Sequence, residues 1–283
     1  MSRNIKDELE ENGYIIIENV LNNEEIEIAK ELFNNWIVKN PFIKTFHVKN
    51  NYNGILKYHE VGHQEHAWYI RTRENVQKYF KEIYNTNELI VSFDGCCWFN
   101  KDLKNKKDEC WVHCDQAPIN KSFECYQGFV SLTNNEKSSL VVYEGSHKLH
   151  AEYFKDNDSE KNWILIDKLF LEKIKQTRKV LNVKSGSLVL WDSRTFHENQ
   201  YNYPNCEERL VQYICFFPKN HYNNTEEQRK LRKKYFNELR TTTHWPCPIN
   251  VIKLQPSNET KIDYSKLLKP KLDKYMIDIL KLI

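Results

Sequence analysis

Between residues 88 and 217 the chain is a succession of short apolar runs rich in β-branched and aromatic side chains. Leu89-Ile90-Val91-Ser92-Phe93, Cys97-Trp98-Phe99, Tyr126 to Leu132, Leu140-Val141-Val142-Tyr143, Leu188-Val189-Leu190-Trp191 and Leu210 to Phe217 are each too short for a stable helix. Glu144-Gly145 and Gly186-Ser187 punctuate them as turns. Short strands of this kind build a sandwich or a barrel rather than a parallel sheet with regular helical crossovers. No glycine-rich loop comes after a strand, so a nucleotide-binding fold gains no support.

Helix signals lie mainly outside this stretch. Tyr14 to Ile17 reads as one more strand after Gly13. Asn22 with Glu25 resembles a helix start, and Ile26, Ala29, Leu32, Phe33 and Trp36 continue it as an apolar stripe. A second helix is expected from about Asn75 to Ile83, with Val76, Tyr79, Phe80 and Ile83 facing inward. A third is expected within Asn157 to Gln176, where Ile164, Ile166, Leu169, Phe170 and Ile174 are the apolar positions. Thr225 and Gln228 can cap a basic helix reaching about Leu239, whose run Arg229, Lys230, Arg232, Lys233, Lys234 reads as a solvated face. Pro246, Pro248 and Pro256 break the next segment, and Asp263 to Ile283 can hold a final helix. The expectation is one mainly β domain with flanking helices over residues 1–283. Its core spans about 88–217, with a helical C-terminal extension at about 218–283.

Charged residues make up 29% of the 283, yet the formal charge is only +3 and the signs are interspersed. Neither nucleic acid nor a membrane surface is therefore expected as a partner. No stretch is long and apolar enough to cross a bilayer. The opening MSRNIKDELEENG lacks the apolar core of a signal peptide, so a cytoplasmic location is expected. The eight cysteines form no CxxC pair, which weakens a zinc-ribbon reading. They are expected to be free thiols, with Cys96, Cys125 and Cys215 as buried packing residues.

Against this background His113-Cys114-Asp115 stands out. On a strand, residues two apart project to one side, so His113 and Asp115 share a face and Cys114 points away. His197 closes the segment Trp191-Asp192-Ser193-Arg194-Thr195-Phe196-His197, after a strand that a folded sheet can bring back. Two imidazoles and a carboxylate suit Fe(II) with one face left open. A zinc hydrolase could use the same three. Arg209 lies at the entrance to the next apolar strand, where a lone charge is expensive and a planar fork suits a carboxylate. It reads either as a grip for an anionic co-substrate or as a salt bridge to Glu207 or Asp192.

The chain resembles the phytanoyl-CoA dioxygenase family of Fe(II)- and 2-oxoglutarate-dependent oxygenases. The resemblance rests on Gly13 to Ile17, Val91-Ser92-Phe93-Asp94-Gly95, Val112 to Gln116, Gln127-Gly128, Gly145-Ser146-His147-Lys148, Gly186 to Arg194 with His197, and Thr243-His244-Trp245-Pro246. It implies a double-stranded β-helix, that is, a jelly-roll, cupin-like core with helices outside. It implies His113, Asp115 and His197 as iron ligands, and Arg209 as the grip on the distal carboxylate of 2-oxoglutarate, with Asn199 near it. It implies O2 as the second co-substrate. The implied reaction hydroxylates a C–H bond of a small molecule and releases succinate and CO2. Asp115 argues against the related halogenases, which lack the carboxylate. Two departures are Glu144, where the family has Pro, and Lys137-Ser138-Ser139, where glycines are expected.

Further candidates carry competing readings. Gln127 can reach the cofactor or make an ordinary cross-strand bond. Arg194 can meet 2-oxoglutarate or orient Asp192. Trp98 and Asn100 can line the pocket, with a core role favoured for Trp98. His147 can touch substrate or shape its loop, and Arg71 and Arg73 can bind an acidic group or start a surface helix. A metal-dependent hydrolase and a non-catalytic binding protein on the same fold remain the alternatives.

Overall fold

The structure is a computed structural model that describes residues 4–50, 53–100, 109–202, 205–257 and 261–283. Tyr14–Ile17, Leu188–Asp192, Tyr126–Ser131, Arg209–Ile214, Cys96–Phe99 and Ile55–Leu56 pair in that order into a six-stranded antiparallel sheet. Ile164–Leu165, His113–Cys114, His197–Asn199, Leu140–Tyr143 and Arg178–Val180 form a five-stranded antiparallel sheet. Phe216–Pro218 and Leu89–Val91 make a two-stranded ribbon. The fold is thus mixed, with antiparallel sheets and flanking helices, and among the described residues the sheets do not close into a barrel.

Strand alternation explains why the runs are apolar throughout. Leu188, Leu190, Cys96, Trp98, Leu210 and Ile214 face one way, into a large core with Phe33, Trp36, Trp68 and Phe80 from the helices. Val189, Trp191, Cys97, Phe99 and Val211 face the other way and meet Leu140 and Val142 of the five-stranded sheet. The six-stranded sheet is therefore buried on both faces, which removes the polar half of the usual alternation.

The first helical expectations hold. Asn22 Oδ1 accepts from Glu25 N at 2.9 Å, and Glu25 Oε2 accepts from Asn22 N at 3.0 Å, which completes a capping box for Asn23–Lys39. Glu74–Tyr84 buries Val76, Phe80 and Ile83 as read. Glu226–Asn237 begins at Thr225, whose hydroxyl accepts from Gln228 N.

Other expectations need correction. Within 157–176 only Lys168–Lys173 is α-helical, because Ile164 leaves to pair with Cys114 at the sheet edge. The final helix shrinks to Met276–Leu282, preceded by 3-10 turns and by Pro270, which cannot continue a helix. Arg232 is not on a solvated face: it is fully buried and donates to Asn224 Oδ1 at 3.0 Å and Pro246 O at 2.7 Å. Arg71 neither starts a surface helix nor lines the large cavity described below. It ends the buried helix Glu65–Arg71, donating to Asp94 O at 2.8 Å and to Gly62 O.

Gly95 is required where Ile55–Leu56 meets Cys96–Phe99. A Cβ there would fall 1.9 Å from Leu56 O. The same junction sets Asp94 at the wall of a cavity.

Candidate metal centre

The five-stranded sheet assembles the centre. His113 and His197 are antiparallel partners in register, and their ring centroids lie 4.4 Å apart. Asp115 comes just after the short strand, held by Asp115 N donating to Ser193 O at 3.1 Å. Its carboxylate approaches His197 Nε2 at 3.3 Å and His113 Nε2 at 3.8 Å. One donor atom from each residue lies within 4.8 Å of the others. Cys114 is turned away, into a separate cluster with Val112, Tyr143 and Phe196.

Both imidazoles are aimed. His113 Nδ1 meets Trp111 O at 3.1 Å, and His197 Nδ1 meets Thr195 O at 2.9 Å. A carbonyl can only accept, so each Nδ1 carries the proton and each Nε2 presents its lone pair. Burial, with His197 close by, brings the His113 imidazole down to about 4, so it is neutral and able to ligate. Burial pushes the Asp115 carboxyl up, but the imidazoles around it, His113, His197 and His244, outweigh that and hold it below the usual carboxylate range. The donor set, two imidazole nitrogens and one carboxylate on one side of a gap, fits a divalent cation that prefers nitrogen and oxygen.

Two indoles bracket His113. Trp111 stacks on it at 4.8 Å and Trp163 tilts over it at 5.3 Å, although Trp163 is 49% exposed. Trp111 is fixed by Nε1 donating to Asn199 O at 3.0 Å and by its backbone N–H donating to Glu198 Oε2 at 2.9 Å.

Arg209 is fully buried on the six-stranded sheet. Nη1 donates to Asn199 Oδ1 at 2.7 Å and contacts Cys97 Sγ at 3.3 Å; Nε and Nη2 have no partner. The rings of Phe99 and Phe129 lie 5.7 and 5.2 Å from its guanidinium carbon. Neither anticipated salt bridge forms. Glu207 accepts from the backbone of Glu136 and Lys137, and Asp192 is taken by Arg194. A buried guanidinium left partly unsatisfied costs several kcal/mol, which an entering carboxylate would offset. Asn199 Nδ2 donates to Tyr213 Oη at 2.9 Å, so Arg209 sits one side chain behind two residues that line the cavity.

That cavity has a volume of about 670 Å³ and takes in His113, Asp115, His197, Gln127 and Asn199. Gln127 Nε2 has no partner and faces this space. Arg194 does not line it. Its Nε and Nη2 fork onto Asp192 at 2.9 and 2.7 Å, within the turn that delivers His197. His147 Nε2 meets Glu10 O under the N-terminal helix, Trp98 stacks on His47 in the core, and Arg73 lies over Tyr69. Asn100 is buried and outside the lining.

Several lining residues escaped the sequence reading: Asp94, Trp111, Trp163, Tyr213 and His244. His244 arrives on the segment after the last long helix, anchored by Thr242 N donating to Phe93 O and Thr243 N to Asn250 O. Burial lowers its pKa, with Asp115 pulling the other way. Only the motif Thr243-His244-Trp245-Pro246 hinted at it.

A family model for phytanoyl-CoA dioxygenase (PhyH) matches residues 9–203. "Ava biosynthesis cluster protein O" of Aspergillus versicolor is 30% identical over 268 residues, 85% of each chain. Among solved structures, HygX from Streptomyces hygroscopicus, with nickel and 2-oxoglutarate bound, is 13% identical, with a TM-score of 0.52 over 78% of this chain and 88% of that one. The epimerase SnoN, in complex with Fe3+, alpha ketoglutarate and nogalamycin RO, is 14% identical, with a TM-score of 0.51 over 76% and 82%. At such identities the two structures speak for the fold. The family match runs through all three converging side chains, and the chain belongs to the phytanoyl-CoA dioxygenase family within the Fe(II)- and 2-oxoglutarate-dependent oxygenase superfamily.

Proposed function

We propose that this protein is a dioxygenase that uses Fe(II), 2-oxoglutarate and O2 to hydroxylate a C–H bond of a small molecule, with succinate and CO2 as co-products. The observation that carries this reading is the pairing of a triad able to face a cation with a buried guanidinium that lacks an anionic partner. His113, Asp115 and His197 would hold the iron. When bound, the iron and 2-oxoglutarate together supply the O2 chemistry that protein side chains cannot.

The chain supplies position and exclusion. The carbonyls of Trp111 and Thr195 keep both Nε2 lone pairs directed inward. Arg209 would take the distal carboxylate through Nη2 and Nε, with Asn199 beside it. Gln127 Nε2 would donate to the same co-substrate. Arg194 contributes through Asp192, by holding the turn before His197. Trp111 and Trp163 cover His113 from water. We read the two sheets as the walls of a jelly roll in one domain, and the eight free thiols agree with a reducing, cytoplasmic setting. A hydrolase could use the triad but would have no use for Arg209.

The test is calorimetric titration of 2-oxoglutarate into protein loaded with Fe(II) without oxygen, followed by succinate assay on admitting air. Binding and succinate release are expected, and both are lost in Asp115→Ala. Metal-loaded protein that ignores 2-oxoglutarate would overturn the proposal.

A further inference from the structure

The cavity wall away from the triad has its own chemistry. Asp94 is only 5% exposed, lines the cavity, and leaves Oδ1 without a partner. It forms no ion pair among the described residues. The neighbouring Arg71 is spent on the carbonyls of Gly62 and Asp94 itself. A carboxylate enclosed this way pays for its desolvation unless something cationic meets it. Burial accordingly pushes the Asp94 carboxyl up to about 7, against the pull of Arg71.

Asp94 is fixed in place rather than loosely hung. Phe93 N donates to Thr242 Oγ1 at 2.9 Å and Thr242 N returns a bond to Phe93 O at 3.0 Å. This pair of bonds ties the Asp94 segment to the Thr243-His244 segment, where Thr243 Oγ1 and His244 Nε2 are also unpartnered. His244 in turn faces Asp115 and His197. A polar strip therefore connects Asp94 to the triad. Four indoles stand among the remaining walls: Trp111, Trp163, Trp191 and Trp245. Flat aromatic faces accept flat rings and favour cations over anions.

We propose that Asp94 anchors a cationic nitrogen on a flat aromatic substrate, whose ring lies among the tryptophans. This assignment of substrate class rests on the dioxygenase reading, but its test does not. Two exposed lysines, Lys57 and Lys161, also line the cavity, and if they did the recognising an acid would be preferred instead.

Three probes share one ring: tryptamine, indole and indole-3-acetate. Their binding to metal-free protein is measured by calorimetry at pH 8. Tryptamine is expected to bind on the order of tenfold more tightly than the other two, the worth of one charged hydrogen bond. Asp94→Asn should erase that preference while indole binding persists. Equal or tighter binding of the acid, or no binding of the amine at millimolar concentration, overturns the proposal. So does an Asp94→Asn protein that melts cooperatively and keeps the preference. If that variant fails to fold, Asp115→Asn decides the matter: it should keep the amine preference, and loss of the preference there would assign the amine to Asp115 and overturn the proposal. Loss of 2-oxoglutarate binding by metal-loaded protein would instead strike the dioxygenase reading and leave the ranking standing.

Discussion

His197 stands directly opposite His113 across an antiparallel pair, so the two imidazoles converge by strand register. A register slip of one residue would send one of them to the far face of the sheet. Cys114 already occupies that far face, which gives a sharp contrast between neighbours. Cys114→Ala should keep full metal stoichiometry while costing about 1 kcal/mol of stability. His113→Ala should lose the metal. Metal analysis beside urea unfolding reads both, and loss of metal in Cys114→Ala would contradict the assigned face.

Arg209 invites a test that separates a grip from a structural ion pair. Arg209→Lys keeps the charge but loses the fork, so 2-oxoglutarate affinity should fall on the order of tenfold to a hundredfold with metal binding intact. Arg209→Met removes a charge that lacks a carboxylate partner and sits beside Phe99 and Phe129. It should melt at or above the wild-type temperature in the absence of co-substrate. A marked drop would mean that the guanidinium braces the fold.

Acid sensitivity arises from buried histidines, most of them remote from the triad. Burial, reinforced by Arg71, lowers His63 and His66 to about 3 each. Their unfolded forms take protons below about pH 6.5, while the folded forms resist until about pH 3. Their stabilising contribution is therefore complete above pH 6.5 and declines as pH falls through that window, by on the order of 1.4 kcal/mol per pH unit for each. Asp94 opposes this, since its raised pKa favours the folded state at low pH and the benefit fades toward pH 7. Burial lowers His47, His59 and His150 as well, to about 4 each, so the imidazoles outweigh the one carboxyl and melting temperature should climb from pH 4.5 to 6.5. A flat profile would mean that these histidines are protonated in the folded protein.

Gly95 admits no side chain. In Gly95→Ala the new methyl meets the backbone oxygen of Leu56, which cannot rotate aside. The expected cost is about 3 kcal/mol, read by thermal melting, with loss of the Ile55–Leu56 edge strand. Wild-type stability would show that the edge is free to shift.

The sequence made the strands legible because both faces of the larger sheet are buried, leaving unbroken apolar runs such as Leu188 to Trp191. The triad was legible from the two-residue spacing of His113 and Asp115, although the strand itself ends at Cys114 and Asp115 follows in the bend. Residues 157–176 were not, since Ile164 serves a sheet edge while Leu171 serves a helix, and one apolar count covers both. Arg232 could have been found: it lies four residues before Phe236, on the face that Phe236 buries. Asp94 and His244 could not be joined from spacing, because the bonds that unite their segments join Phe93 to Thr242, 149 residues on.

The indoles that enclose His113 make the protein its own optical sensor. Trp111 and Trp163 lie within about 5 Å of a ring whose Nε2 would meet a bound cation, close enough for a paramagnetic ion to drain their excited states. Ferrous or manganous ions should dim the fluorescence, while closed-shell zinc should leave it bright. Occupancy could then be followed in real time, without label or substrate.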